Sequence, residues 1–580
     1  MNAPEWDIAI LGGGSAGCVL AARLSEDASL RVVLVEAGAD LSAESIPREI
    51  ASPYPGRAYF NPVWTWPALR VRMGGRGAGN SPVEERPYEQ ARILGGGSSI
   101  NGIGANRGAP QDYDEWEAEG AAGWGWRDVL PYFRKLERDL DFAADAELHG
   151  AHGPVPIRRL PRGNEPGFAH AVEAELLRRG FTAHPDQNGR WEDGVFPIAV
   201  NMDEAGRRAS FATAYLTEAV RRRPNLAIRT DTVVERLRIE EGRVVAAKLR
   251  RDGAEEELRA GLFVVSMGAL QSPALLLRSG IGPGRDLAAL GIPVAADRKG
   301  VGRNLQEHPS IGVSAFLHPD ARVPPGESYH IPTILRWSSG LEGEPPGDMH
   351  LAVNVRSGWH AVGRRIGTLF NWVNHSRSRG RVALRSPEVD APPIVEFDLL
   401  SDPRDEVRLV QAFHLAADVL LSPMLGRSVQ VVFPSTYSAK VKRLLRPTAL
   451  NAVLTSLAGP AMDVSAAARG RFLALAQEGA PLEELLSDEA SLRAHLRRHV
   501  GGVWHPSGTC RMGAADDPVS VCDPTGRVLG VEGLMVCDAS VMPSIPCANL
   551  NIPVAMIAEK MADGLPQNQL RCRGNAAIRR

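Results

Sequence analysis

Hydrophobic residues along this chain recur with two periods, and each points to a different kind of element. Residues 7–11 (Asp-Ile-Ala-Ile-Leu) form a short apolar run that ends at a glycine cluster, and Val32-Val33-Leu34-Val35 form a second. Runs that are apolar at nearly every position suit parallel strands covered on both faces. Between them Cys18, Val19, Leu20, Ala21, Ala22 and Leu24 keep a helical pattern. A similar strand, turn and helix return at Val264-Val265-Ser266, Gly268 and the apolar positions through Leu275, Leu276 and Leu277. Leu534-Met535-Val536-Cys537 reads as a further buried strand ending at Asp538, and residues 551–564 as a closing helix. The stretch 310–400 differs. It holds short alternating segments such as Arg381-Val382-Ala383-Leu384-Arg385, which suit an antiparallel sheet with one face wet. The pattern is compatible with an α/β domain of Rossmann-like strand–turn–helix order joined to an α+β domain built on an antiparallel sheet.

Length supports two domains, because a chain of 580 residues exceeds the roughly 250–300 at which single cores stop growing. Sixty-six basic against 68 acidic residues leave a net charge of -2, so no global field favours nucleic acid or an anionic membrane. The run Arg221, Arg222 and Arg223 before Pro224 reads as a solvated helix end. The six cysteines (Cys18, Cys510, Cys522, Cys537, Cys547 and Cys572) form no C-x-x-C pair and lack metal-ligand spacing, which fits a reducing cytoplasm and no metal centre. The first residues carry no cationic and apolar leader, and no run approaches the roughly 18 apolar residues of a membrane span. The tail after Leu565 lacks apolar periodicity and reads as frayed.

The glycine cluster adds chemistry. Gly12-Gly13-Gly14-Ser15-Ala16-Gly17 matches G-x-G-x-x-G, with a strand before it and a helix after it. Gly12 makes the tight turn, Gly14 lets the backbone approach a pyrophosphate, and Gly17 lets the helix pack on the strand. Ser15 and Ala16 place the helix N-terminus against the phosphate charge. Glu36 ends the second strand, where it can accept hydrogen bonds from a ribose diol. The motif identifies a dinucleotide site and leaves FAD and NAD open.

A second glycine loop, Arg92-Ile93-Leu94-Gly95-Gly96-Gly97-Ser98-Ser99-Ile100-Asn101-Gly102, would be a flexible connector were it not flanked by apolar residues. As a packed loop, its backbone can approach a flat ring without side-chain clash. This segment resembles the first signature of the glucose–methanol–choline oxidoreductases, a flavoprotein family. Gly268-Ala269-Leu270-Gln271-Ser272-Pro273 is similar to the second signature, and Val301-Gly302-Arg303-Asn304-Leu305-Gln306-Glu307-His308 to a further segment. His505-Pro506-Ser507-Gly508-Thr509-Cys510-Arg511, Val536-Cys537-Asp538-Ala539-Ser540 and Asn549-Leu550-Asn551 follow in family order, so the resemblance spans residue 6 to about 565. It implies an FAD-binding domain from residues 1–160, 226–310 and 496–565, a substrate domain from 161–225 and 311–495, and a tail at 566–580. It also implies that Ala37, Arg92, Leu94 and Ser98 contact FAD. Asn101, Gly102, Ile103, Val233, Trp504, Asp538, Ala539 and Asn549 complete that set. Some relatives carry a flavin-linked histidine where this chain has Ile100, so the FAD is expected to be non-covalent.

Oxidising an alcohol by hydride transfer needs a base for the hydroxyl proton, a partner that orients the oxygen, and a dry pocket. A lone histidine among fourteen is usually structural. His308 reads as a satisfied loop histidine, and His149 and His152 as part of a surface turn. His505 matches the family's catalytic histidine, which implies the base. Asn549 is assigned the orienting hydrogen bond; Asn551, two residues on, is the neighbour that competes for that role. Trp66, Phe370, Trp372 and Trp504 are candidates for an aromatic pocket, although plain core is the commoner fate of each. The resemblance is nearest to the bacterial type acting on aryl and furanic alcohols. It implies oxidation of a primary alcohol to the aldehyde, with dioxygen reduced to hydrogen peroxide, in a monomer or small homo-oligomer. The alternative is a dehydrogenase that passes electrons to a quinone or another carrier.

Overall fold

The computed structural model describes residues 5–40, 46–74, 84–160, 166–324, 326 and 329–565. The expected frayed tail and Cys572 therefore lie outside the described residues. The apolar runs form a five-stranded parallel sheet in the order Leu534–Val536, Ala260–Val265, Trp6–Leu11, Val32–Val35, Leu226–Arg229. Ile8, Ala9, Ile10, Leu11 and Val32 through Val35 are fully buried, because helix Ser15–Leu24 and a three-stranded antiparallel sheet (Thr232–Glu240, Arg243–Arg251, Ala254–Leu258) pack against them. The helix rests in turn against the closing helix Asn551–Gly564. Cys18 lies inside that core. The carboxyl ends of these strands converge on one crevice, where open α/β sheets bind their ligands.

A six-stranded antiparallel sheet stands over that crevice, in the order Val429–Pro434, Ser310–Leu317, Ile366–Val373, Met349–Asn354, Thr333–Trp337, Gly194–Pro197. It corrects one expectation. Ser310–Leu317 and Thr333–Trp337 are buried at every position, so neither face is wet. Helix Pro403–Leu420 covers one face through Leu409, Ala412, Phe413, Ala416 and Leu420. The other face carries Gly312, Ser314, Thr368, Phe370 and Trp372 into the crevice. Polar residues in this sheet face an internal cavity, which alternation alone does not distinguish from solvent. Arg381–Ala383 is a strand, as its alternation predicts, but it belongs to a separate four-stranded sheet with Ile394–Leu399, Arg70–Gly74 and Arg86–Pro87.

Candidate active site

Between the two sheets runs a cavity of about 860 Å³. At its nucleotide end three glycines shape the corner between strand Trp6–Leu11 and helix Ser15–Leu24. Gly12 has φ +109°, and a Cβ there would meet the Ser266 carbonyl oxygen at 2.5 Å. A Cβ on Gly17 would lie 2.0 Å from the Gly12 carbonyl oxygen, so only glycine lets the helix seat on the strand. At Gly14 the nearest atom is 3.8 Å away, which leaves an open side. No side-chain hydrogen bond caps the helix, and its first amides are left for an anion. Glu36 accepts from Gly13 N at 2.9 Å and Gly38 N at 2.7 Å, bracing the turn while lining the cavity. Burial pushes its carboxyl up to about 7 against those donors.

The second glycine loop lies directly on the first. Gly95 N donates to the Gly13 carbonyl at 2.7 Å, and a Cβ on Gly96 would stand 2.7 Å from Gly14 Cα. Gly97 and Gly102 line the cavity with nothing within 4 Å of their Cβ positions, which leaves space for a flat ring. Three buried polar atoms of wall residues, Ser266 Oγ, Gln90 Oε1 and Asn551 Nδ2, lack a hydrogen-bond partner among the described residues. An uncapped helix start, open glycine backbone and orphaned polar atoms on one wall fit a bound dinucleotide.

At the other end the segment after Gly501-Gly502 brings His505 to the wall. Glu307 holds this segment. Its buried carboxylate accepts from Val503 N at 3.2 Å and His505 N at 2.8 Å, and from Tyr88 Oη at 3.1 Å. Burial lifts the Glu307 carboxyl to about 7 against these bonds. The clamp spans Trp504, whose φ of +60° is unusual for a bulky residue and costs on the order of 1–3 kcal/mol. That strain aims the imidazole of His505 into the cavity.

The protons on the two histidines follow from their partners. His308 Nε2 lies 3.2 Å from the Pro546 carbonyl, which only accepts, so Nε2 carries the hydrogen. Burial pushes His308 down to about 3, so its ring is neutral and Nδ1 is bare. His505 Nδ1 lies 2.9 Å from that Nδ1 and donates to it. Burial, with His308 and His350 nearby, also holds His505 well below the usual histidine range. Its Nε2 is therefore a lone pair facing the cavity. Asn549 Nδ2 lies 3.3 Å from it, and Asn549 N is fixed by Asn106 Oδ1 at 2.9 Å. Asn551 points elsewhere: its Oδ1 accepts from Ser15 Oγ at 2.9 Å, at the nucleotide end.

Among the other residues expected to contact cofactor, Ala37, Asn101, Gly102, Trp504, Asp538 and Ala539 lie on the cavity wall with Gly12, Gly14, Ser15, Ala16 and Glu36. Arg92, Leu94, Ser98, Ile103 and Val233 are set back from it, as is Gly17. Arg92 Nε donates to the Ala37 carbonyl at 3.1 Å, and its guanidinium lies over the Trp66 ring. Leu94 packs under Gly13, and Ser98 Oγ accepts from Phe211 N at 3.0 Å. Ile103 is fully buried with φ +50°. Val233 sits between Thr232 and Val234, which do line the cavity, and strand alternation turns its side chain away. Trp66, Phe370, Trp372 and Trp504 all reach the wall.

Sequence reasoning underrated two residues, Glu307 and His308. They belong to the Asn-Leu-Gln-Glu-His motif, which the folded chain brings beside His505 by pairing Gln306 with Ser507. His149 is a correction. It is buried, not in a surface turn, beside Glu137, Asp139 and Asp186, with Arg107 and Arg159 balancing the charge. Burial opposes its protonation, but the carboxylates outweigh it and lift the pKa to about 10.

Residues 6–310 match the N-terminal part of the GMC oxidoreductase family, and residues 376–558 the C-terminal part. The chain is 41% identical to 5-(hydroxymethyl)furfural oxidase of a Methylovorus species, covering 97% of this chain and 98% of the relative. It is 32% identical to an oxygen-dependent choline dehydrogenase of Sinorhizobium medicae, over 98% and 97% of the two chains. A solved structure of pyridoxine 4-oxidase from Mesorbium loti superposes with a TM-score of 0.78 at 28% identity, over 96% of this chain and 99% of that one. The cofactor is FAD. The chain belongs to the GMC oxidoreductase family, as an FAD-dependent oxidoreductase of CH–OH donors.

Proposed function

We propose that this enzyme oxidises a primary aryl or furanic alcohol to its aldehyde and reduces dioxygen to hydrogen peroxide. One observation carries the proposal: the bare Nε2 of His505 stands beside Asn549 Nδ2 in a cavity with aromatic walls. The alcohol hydroxyl donates to His505 Nε2 and accepts from Asn549 Nδ2, which places both groups on the substrate oxygen. His505 Nε2 then takes the hydroxyl proton, and the negative charge growing on oxygen strengthens the bond from Asn549. The imidazolium so formed keeps its Nδ1–H on His308, whose ring is held by the Pro546 carbonyl. Phe370, Trp372 and Trp504 bound the cavity and exclude water from the reacting carbon. FAD would be held by the wall that Gly14 and the second glycine loop form together, and would supply the hydride acceptor.

The choice of aryl or furanic alcohol rests on these rings and on the 41% identical furfural oxidase. The choline dehydrogenase relative is itself named as oxygen-dependent, in keeping with dioxygen as acceptor; the alternative is a dehydrogenase in which another carrier takes the electrons. A panel of benzylic, furanic and aliphatic alcohols tests both, with peroxide measured in air and an artificial acceptor supplied under argon. Turnover of aryl or furanic alcohols with stoichiometric peroxide is the expected result. Turnover with the artificial acceptor alone would favour the dehydrogenase, and no turnover of any alcohol would overturn both.

A further inference from the structure

Beside the mouth of the cavity the usual polarity of a surface helix is reversed. Helix Ala449–Val464 places Leu450, Val453, Leu454, Leu457 and Val464 on one stripe at helical spacing, and that stripe faces outward. Leu457 is 71% and Val464 88% exposed. The inward side is carried by Thr455, Gly459 and Met462, which are buried, and a Cβ on Gly459 would meet the Arg365 guanidinium at 2.7 Å. The following helix, Ala466–Ala476, adds Leu475, which is 71% exposed and also lines the cavity. More than half of the large exposed apolar side chains among the described residues fall between Tyr437 and Leu475.

The charge around this hairpin is one-sided. From Ser438 to Gln477 the chain carries Lys440, Lys442, Arg443, Arg446, Arg469 and Arg471 but a single acid, Asp463. Asp463 is turned inward and held by Arg322 and Arg365, each at 2.7 Å. Lys440, Arg443, Arg446 and Arg471 are exposed, with no acidic partner among the described residues. Arg446 lies just ahead of helix Ala449–Val464, and Arg471 stands four residues before Leu475 within the next helix, so cations flank the apolar stripe along the chain. The net charge of -2 for the whole chain conceals this concentration.

We infer that this hairpin docks the enzyme on the surface of an anionic lipid bilayer, with the apolar stripe at the level of the acyl chains and the cations on the headgroups. An outward apolar stripe with basic flanks is the pattern of an interfacial helix. No helix among the described residues is long and apolar enough to cross a membrane, so the contact is peripheral. A second copy of the chain is the weaker occupant. A two-fold contact on this face would set Arg443, Arg446 and Arg471 of each copy near those of the other, a repulsion that anionic headgroups would replace with attraction. Docking would open the cavity, through Leu475 and Tyr437, toward alcohols that partition into the interface.

The test is co-sedimentation of the full-chain holoenzyme with vesicles of phosphatidylcholine alone or with a minor share of phosphatidylglycerol, at low and high salt. The expected result is binding to the anionic vesicles that weakens with salt. Leu454→Glu/Leu457→Glu and Arg443→Glu/Arg446→Glu should each lower it by about tenfold or more. Turnover of a water-soluble alcohol by the leucine variant should be unchanged, which shows that it folds. Absence of vesicle binding, or binding equal in wild type and variants, would overturn the inference. So would a dimer that Leu454→Glu/Leu457→Glu converts to monomer while neither form binds vesicles.

Discussion

The Nδ1 atoms of His505 and His308 lie 2.9 Å apart, and the Pro546 carbonyl on the far side of His308 decides which of them donates. His308 is thus a positioning residue that keeps Nε2 of His505 free for the substrate. His308→Ala should slow alcohol oxidation while FAD content stays at the wild-type level. Burial holds the pKa of His505 low, and the variant should also shift it, because the neutral ring that accepts its Nδ1–H is gone. A pH profile separates this from a loss of packing. A variant that loses rate with an unmoved profile would mean that His308 only fills space.

The same depression gives a pH dependence for the wild type. In the proposed mechanism the neutral imidazole is the base, so protonation stops the reaction. Burial disfavours the imidazolium, which delays that protonation to lower pH than an ordinary histidine at about 6.5. The acid limb of kcat/KM should therefore be centred well below that value. A limb centred at or above about 6.5 would show that another group, or a solvent-exposed histidine, takes the proton.

Asn549 and Asn551 should fail in different ways. Asn549→Ala removes the donor beside His505 and should slow oxidation by up to about 10³-fold with FAD retained. Gly104→Ala should mimic it more weakly, because a Cβ at Gly104 would lie 2.9 Å from Asn549 Oδ1 and displace the amide. Asn551→Ala should instead weaken FAD retention, since Asn551 accepts from Ser15 at the start of the helix. Flavin content and turnover of the three purified variants check this. Greater rate loss at Asn551 than at Asn549, with FAD retained in both, would reverse the assignment.

The nucleotide end was legible in the sequence because it is local. Gly12, Gly14, Gly17 and Glu36 lie within one strand–turn–helix–strand unit, and each meets a steric or hydrogen-bonding demand set by near neighbours. His505 and Asn549 were singled out through the family signatures that surround them, and the structure sets them 3.3 Å apart on the cavity wall. Their setting was not. His308 is 197 residues from His505 and Pro546 is 238 from His308, so no periodicity marks the relay that fixes the proton. The left-handed backbone of Trp504 is likewise invisible without the Glu307 clamp. Leu450 through Val464 would read as the core face of an ordinary helix, and only packing shows that it points outward.

Ile100 stands where some relatives link the flavin to histidine, and no other residue in that loop offers a linking nucleophile of that kind. Acid precipitation should leave intact FAD in the supernatant, read by its absorbance. Flavin that stays with the precipitate would contradict a non-covalent cofactor.

The central claim is that His505 takes the alcohol proton, and the direct measurement is anaerobic mixing of enzyme and alcohol in a stopped-flow instrument. Wild type should bleach its flavin on mixing. His505→Ala, loaded with the same amount of FAD, should bleach about 10²–10⁴-fold more slowly, the usual worth of a positioned base. Bleaching of the variant at the wild-type rate would contradict the assignment of the base to His505.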